Sequence, residues 1–329
     1  MTRRAWIAFA SISLIWGVPY LLIRIAVRHG IPALPLAWGR VTLAAIVLLA
    51  LAWQNGSLGS LRGRWRWLAI YAVVEITIPF PLLAAGEQRV SSSLAAIIVA
   101  SVPLIGALLA WRFDHSERPT RARAIGLGLG FGGVVALVGI DVAGSGRELL
   151  GAGMVVLVAA GYAIGPMVIK HRLGDLDARA AMGASLAIGA VLLLPGALLD
   201  PPKAVPGLGP LAAVVALGLF CTAAAFVILV VLIREAGTGR AMIITYINPV
   251  IAVALGVTLL GERPGTGAIV GLVMILAGSW LATRGRAPAG AGSVPAGGVA
   301  GLGDLDQDQR VDDEGEREHD RPPVQIALD

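Results

Sequence analysis

Glu75 is the only charged residue in an apolar stretch that runs from Trp67 to Gly86. It lies about eight residues into that stretch, which at a helical rise of about 1.5 Å per residue is near mid-depth of a membrane span. A charged side chain there costs about 2.5 to 3.5 kcal/mol on insertion scales, so an intramembrane acid is a functional candidate by default. Two chemistries suit it: taking up and releasing a proton in step with substrate movement, or holding a cationic group. Arg40, in LAWGRVTLAAIVLLAL, is the other charge well inside a span. Its helix directly precedes that of Glu75, so an Arg40–Glu75 ion pair is the structural alternative.

Other side chains combine an apolar body or a small volume with a hydrogen-bonding tip: Trp16, Tyr20, Thr77, Ser101, Tyr162, Thr245, Tyr246 and Asn248. Together they would line a pocket for a small amphipathic molecule. Taken singly, each is better explained as interhelical bonding or interface anchoring. Prolines mark where helices should break, because proline removes one intrahelical bond and bends the segment. Pro19 and Pro166 lie in the opening helices of two similar halves, Pro79 and Pro81 in the Glu75 helix, and Pro103 and Pro249 match across the halves. Backbone freed there would face a cavity.

Other chemistry is sparse. The single cysteine, Cys221, permits no internal disulfide and no cysteine metal cluster, and His29, His115, His171 and His319 fall in loops or the tail. No phosphate-cradling Gly-Lys-Ser/Thr loop supports direct use of ATP. The prediction is therefore a protein without cofactor, metal or catalytic residues, and not an enzyme.

The elements that must position these residues are membrane helices. The chain is 57% hydrophobic and 14% charged with a mean hydropathy of +0.80, against about a quarter charged in soluble domains. Charge-free runs at Ala5–Ile23, Val41–Leu61, Val90–Trp111, Ala124–Ile140, Leu149–Ile169, Ala180–Leu199, Ala204–Ile233, Ala241–Gly261 and Pro264–Thr283 join the Glu75 stretch to predict ten spans. With the N-terminus inside, 16 Lys and Arg fall on the cytoplasmic side and five opposite, so the positive-inside rule places both termini in the cytoplasm. Those arginines are accounted for by orientation and anionic lipid, so the bilayer, not nucleic acid, is the expected partner. Residues 287–329 carry ten acids against three arginines among Gly and Pro, and read as a disordered acidic cytoplasmic tail.

The chain also repeats itself. VPLIGALLAWRFDHSERP from Val102 returns as NPVIAVALGVTLLGERP from Asn248, and the match continues from Gly126 and Gly133 to Gly271 and Gly278. WGVPYLLIR from Trp16 and YAIGPMVIK from Tyr162 both set an aromatic eight residues before a cation. Residues 1–145 and 146–286 thus read as five-helix repeats. Five is odd, so the second enters the membrane from the opposite side. The expected fold is an all-α integral membrane protein of ten transmembrane helices in two inverted five-helix repeats, N-in and C-in. The glycine runs GLGLGFGG and GAGMVVLVAAG read as close helix packing.

LIWGVPYLLIRIA in helix one, LAWGRVTLAAIVLLAL in helix two and LGERPGTGAIVGLVMILAGSWL at the end of the second repeat resemble the EamA-type carriers of the drug/metabolite transporter superfamily. The resemblance covers Trp6 to about Arg284. It implies a multi-pass inner-membrane secondary transporter that exports small metabolites, amino acids or drugs by alternating access, with its pocket between two bundles. A homodimer is compatible with that architecture, although no residue demands one. The first repeat departs from the family pattern, closing with WRFDHSERP instead of Leu-Gly-Glu-Arg. The competing reading, an intramembrane enzyme or sensor, needs several polar catalytic groups at one depth, and the sequence offers one acid.

Overall fold

A computed structural model describes residues 2–113, 120–237, 241 and 243–283. The Glu117-Arg118-Pro119 motif and the 287–329 tail lie outside the described residues. Among those described, every regular element is helical. Nine helices are long and apolar enough to cross a membrane: α1 (Arg3–Arg28), α2 (Ala33–Gln54), α3 (Trp65–Glu87), α4 (Ser92–Arg112), α5 (Arg121–Asp141), α6 (Gly146–Leu173), α7 (Ala178–Leu199), α8 (Leu208–Ala236) and α10 (Thr266–Thr283). Between the last two lies a shorter apolar helix, α9 (Ile244–Leu260). Its 17 residues span roughly 25 Å, just under a hydrocarbon core of about 30 Å.

Small polar residues start the helices. Thr2, Ser91, Thr120 and Ser145 each accept a backbone N–H three residues on, and Asp177 accepts those of Arg179 and Ala180. Apolar side chains then point outward: Ile46, Val135, Leu157, Val191 and Val273 are all exposed, while the interior is rich in alanine, glycine and serine. That inversion is what hydrocarbon as solvent demands.

Helix pairs follow a rule of exchange. α2 packs on α7 and α5 on α10; α1 packs on α8 and α9, while α6, five helices later, packs on α3 and α4. Replacing each helix by the one five places away maps these pairs onto each other. The α5–α10 seam repeats the rule at residue level. A Cβ on Gly126 would come within 2.7 Å of the Gly278 carbonyl, and one on Gly133 within 2.9 Å of that of Gly271. Rising numbers along α5 meet falling numbers along α10, so the two run antiparallel with their backbones in contact.

The expected breaks appear at two prolines. α1 is interrupted at Val18, just before Pro19, and α4 divides into Ser92–Val99 and Val102–Phe113 ahead of Pro103. Pro166 and Pro249 lie inside continuous α-helix. Pro79 follows a different distortion: α3 widens to a π-helical turn over Ala72–Thr77 and resumes at Pro79. α8 makes the same six-residue turn at Leu219–Ala224, with an offset of 147 residues at both ends.

Candidate functional site

Glu75 occupies the wide turn of α3. Proline at 79 has no N–H for the carbonyl four residues back, which is that of Glu75, and the Ile78 N–H reaches five residues back to Val73 at 3.1 Å. The turn lies on two glycines of α6. A Cβ at Gly161 would stand 2.5 Å from the Val74 carbonyl, and one at Gly165 would overlap the Glu75 carboxyl itself. Oε2 of Glu75 is sealed and has no hydrogen-bond partner, as is Oγ1 of Thr77. Tyr71 and Tyr162 are within electrostatic reach of the carboxyl.

Arg40 is also buried, at 7% exposure, but the expected ion pair with Glu75 is not made. Its Nε donates to Thr222 Oγ1 at 2.9 Å, and that hydroxyl donates in turn to the Leu217 carbonyl at 2.8 Å. Thr222 stands in the π-turn of α8 at the position that Glu75 holds in α3. The guanidinium lies 4.1 Å from the Phe80 ring centroid, and Phe80 meets Tyr162 edge-on at 6.4 Å. Tyr20 and Tyr162 are within electrostatic reach of Arg40. The structure therefore gathers Arg40, Tyr20, Tyr162 and Glu75 around α1, α2, α3, α6 and α8, with Arg40 and Glu75 held by different partners.

Glu87 belongs to the same neighbourhood although sequence reasoning passed over it. It is 0% exposed and neither carboxyl oxygen has a hydrogen-bond partner. Arg24 donates to the Glu87 backbone carbonyl. The signal was one of length: the Glu75 stretch ends at Gly86, before the next charge, whereas the helix includes Glu87.

The remaining candidates lie elsewhere. Trp16 packs edge-on against Phe226 at 6.2 Å. The Tyr246 hydroxyl pairs with Thr283 at 2.8 Å, near the end of α10, and Thr245 precedes it in α9. Ser101 bonds the Ile98 carbonyl at the α4 break. The Asn248 amide, oriented as a donor, ties α9 to the Ser13 carbonyl of α1 at 3.1 Å. An apolar cavity of about 550 Å³, lined by Leu49, Leu58, Trp65, Ala184, Ile188 and Leu192, lies between α2 and α7 and includes none of the candidate residues.

Glu262, of the recurring Glu-Arg-Pro motif, does more than punctuate. It is 9% exposed and accepts the N–H and hydroxyl of both Ser92 and Ser93 at 2.6 to 3.0 Å, capping α4 from the α9–α10 loop. Burial pushes its carboxyl up, but the bonds from Ser93 and Ser92 outweigh burial and hold it below the usual range. Gly261, at φ +65°, makes the left-handed turn that aims it.

The sequence pattern of the EamA-like transporter family matches residues 4–139 and, a second time, 149–284. The chain belongs to this family. Among its EamA-like relatives is the uncharacterized inner membrane transporter YedA of Escherichia coli K12, 29% identical over 286 residues that cover 85% of this chain and 90% of that protein. A probable terminal-alkyne amino-acid exporter of Streptantibioticus cattleyicolor is 30% identical over 86% of this chain and 94% of its own length. A solved structure at 20% identity shares the fold, with a TM-score of 0.62 over 85% of this chain and 97% of that one. This EamA-like chain is a multi-pass membrane transporter.

Proposed function

We propose that the protein is a secondary carrier of the inner membrane that exports small metabolites, amino acids or drugs by alternating access. Ten spans form two inverted five-helix halves, residues 1–145 and 146–286, with both termini in the cytoplasm. The antiparallel, reciprocal glycine contacts of α5 and α10 support the inversion. The name of the S. cattleyicolor relative, which matches over nearly the whole membrane part, supports export of amino-acid-like cargo.

The observation that carries the reading is the polar centre between the halves. Arg40 of the first half is held by Thr222 of the second, and Glu75 of the first lies on Gly165 of the second. Both contacts sit at matched π-turns, places where a helix can change its bonding at small cost. In this reading Glu75 carries the coupling proton: a carboxylate whose Oε2 is buried without a hydrogen-bond partner must be neutralised or bound before the halves separate.

Flux in inverted membrane vesicles, with and without an imposed pH gradient, tests both parts. Cargo movement that responds to the gradient in wild type and not in Glu75→Gln is the expected result. A correctly inserted Glu75→Gln protein with unchanged pH dependence removes Glu75 from the coupling role.

A further inference from the structure

We infer that Arg40 is an anion receptor: its two terminal guanidinium nitrogens bind a carboxylate on the transported molecule. The inference rests on the carrier reading and names the chemistry of its cargo.

Three contacts fix the guanidinium in place. Nε is occupied by Thr222 Oγ1, that hydroxyl is itself anchored on the Leu217 carbonyl, and the planar face is covered by Phe80. No described residue accepts a hydrogen bond from either terminal nitrogen. The acids that could serve do not: Glu75 lies against α6, and Glu87, although within electrostatic reach of Arg40, bonds nothing through its carboxyl oxygens. With Nε taken, the free edge of the fork presents two N–H donors side by side, the spacing that two carboxylate oxygens match.

Energetics give the same direction. A largely buried cation that meets only a neutral hydroxyl is costly, and an incoming anion offsets that cost where a neutral isostere does not. The Phe80 ring covers the guanidinium and meets Tyr162 edge-on, so the favoured cargo is a small apolar body bearing a carboxylate. Lysine in place of Arg40 would keep the charge but lose the fork and the aromatic stacking.

Thermal unfolding of the purified full chain in detergent tests this without any transport step. The probes are pentanoate, benzoate and phenylpropionate, each compared with its amide, and pentylamine as the cationic counterpart. Expected is a rise in Tm with the carboxylates only, lost in Arg40→Gln and at least tenfold weaker in apparent affinity in Arg40→Lys. Equal shifts from acid and amide, a larger shift from pentylamine, no shift from any carboxylate, or a carboxylate shift that survives Arg40→Gln each overturn the inference. If Arg40→Gln does not fold, the acid-against-amide comparison on the unaltered protein decides. A protein that moves cargo in vesicles but prefers no carboxylate sinks this inference alone, whereas one that binds carboxylates and moves nothing sinks the carrier reading alone.

Discussion

At the scale of single residues, the centre depends on what glycine leaves open. Gly165 exists as the floor under the Glu75 carboxyl, and any larger residue must displace it. Gly165→Val is expected to leave the protein inserted while reducing gradient-driven flux at least tenfold, as read in vesicles alongside surface expression. Glu262 makes a separate, outlying prediction. Hydrogen bonds to a charged acceptor are worth about 1.5 to 3 kcal/mol each when buried, so Glu262→Gln should lower Tm in detergent at neutral pH. The sign of the pH dependence follows from the depressed folded value: the carboxylate's contribution is complete above its ordinary value of 4.5 and disappears as pH falls through the lower folded value. Wild type should therefore lose stability on acidification below that point, and Glu262→Gln should lose less. A Glu262→Gln protein with unaltered Tm and acid sensitivity would show the clamp to be idle.

At the scale of elements, the sequence told most about which segments are helices and less about where they begin. Nine charge-free runs and the Glu75 stretch gave ten apolar segments, nine of which are helices long enough to span and one of which is 17 residues long. They misplaced α2, whose run began at Val41 while the helix begins at Ala33, because a buried arginine at 40 looks like a boundary to a rule that treats charge as solvent-seeking. Glu87 was lost for the same reason. The π-turns were invisible, since nothing in AVVEIT or LFCTAA departs from ordinary helical composition; only Pro79, by denying Glu75 its usual donor, hinted at the first. The Arg40–Glu75 pair failed because adjacency of two helices in sequence fixes neither the facing side nor the competing acceptor, here Thr222 from α8. The glycine seam was legible as spacing and is testable as packing. Gly133→Leu, which drives a side chain into the Gly271 carbonyl, should destabilise by about 1 to 3 kcal/mol or more, whereas Val135→Ala, on the exposed face, should change Tm little.

At the scale of the whole molecule, the exchange rule among helix pairs makes the orientation of every loop depend on that of one. Cys221 is the only cysteine and is buried, so a Cys221→Ala background gives a clean canvas for labelling. Cysteine introduced at Ser60, between α2 and α3, is expected to react with impermeant maleimide only from the cytoplasmic side, and at Gly144, between α5 and α6, only from outside. Both positions labelled from the same face would refute the inverted arrangement. The duplication itself was readable from Gly126, Gly133, Gly271 and Gly278, because direct backbone contact tolerates no side chain at either partner. What the sequence withheld was which repeated residues would meet in space.

The paired π-turns have one more consequence. Each closes an i to i+5 ring and so holds one residue more than the α-helical turn it interrupts. Deleting Val74 would let α3 close as ordinary helix, with the stretches before Tyr71 and after Pro79 keeping their angular register. Such a shortened chain should reach the membrane and resist heat about as well as its parent, yet swing its acid off the α6 glycines: an excision that spares the scaffold and silences the machine.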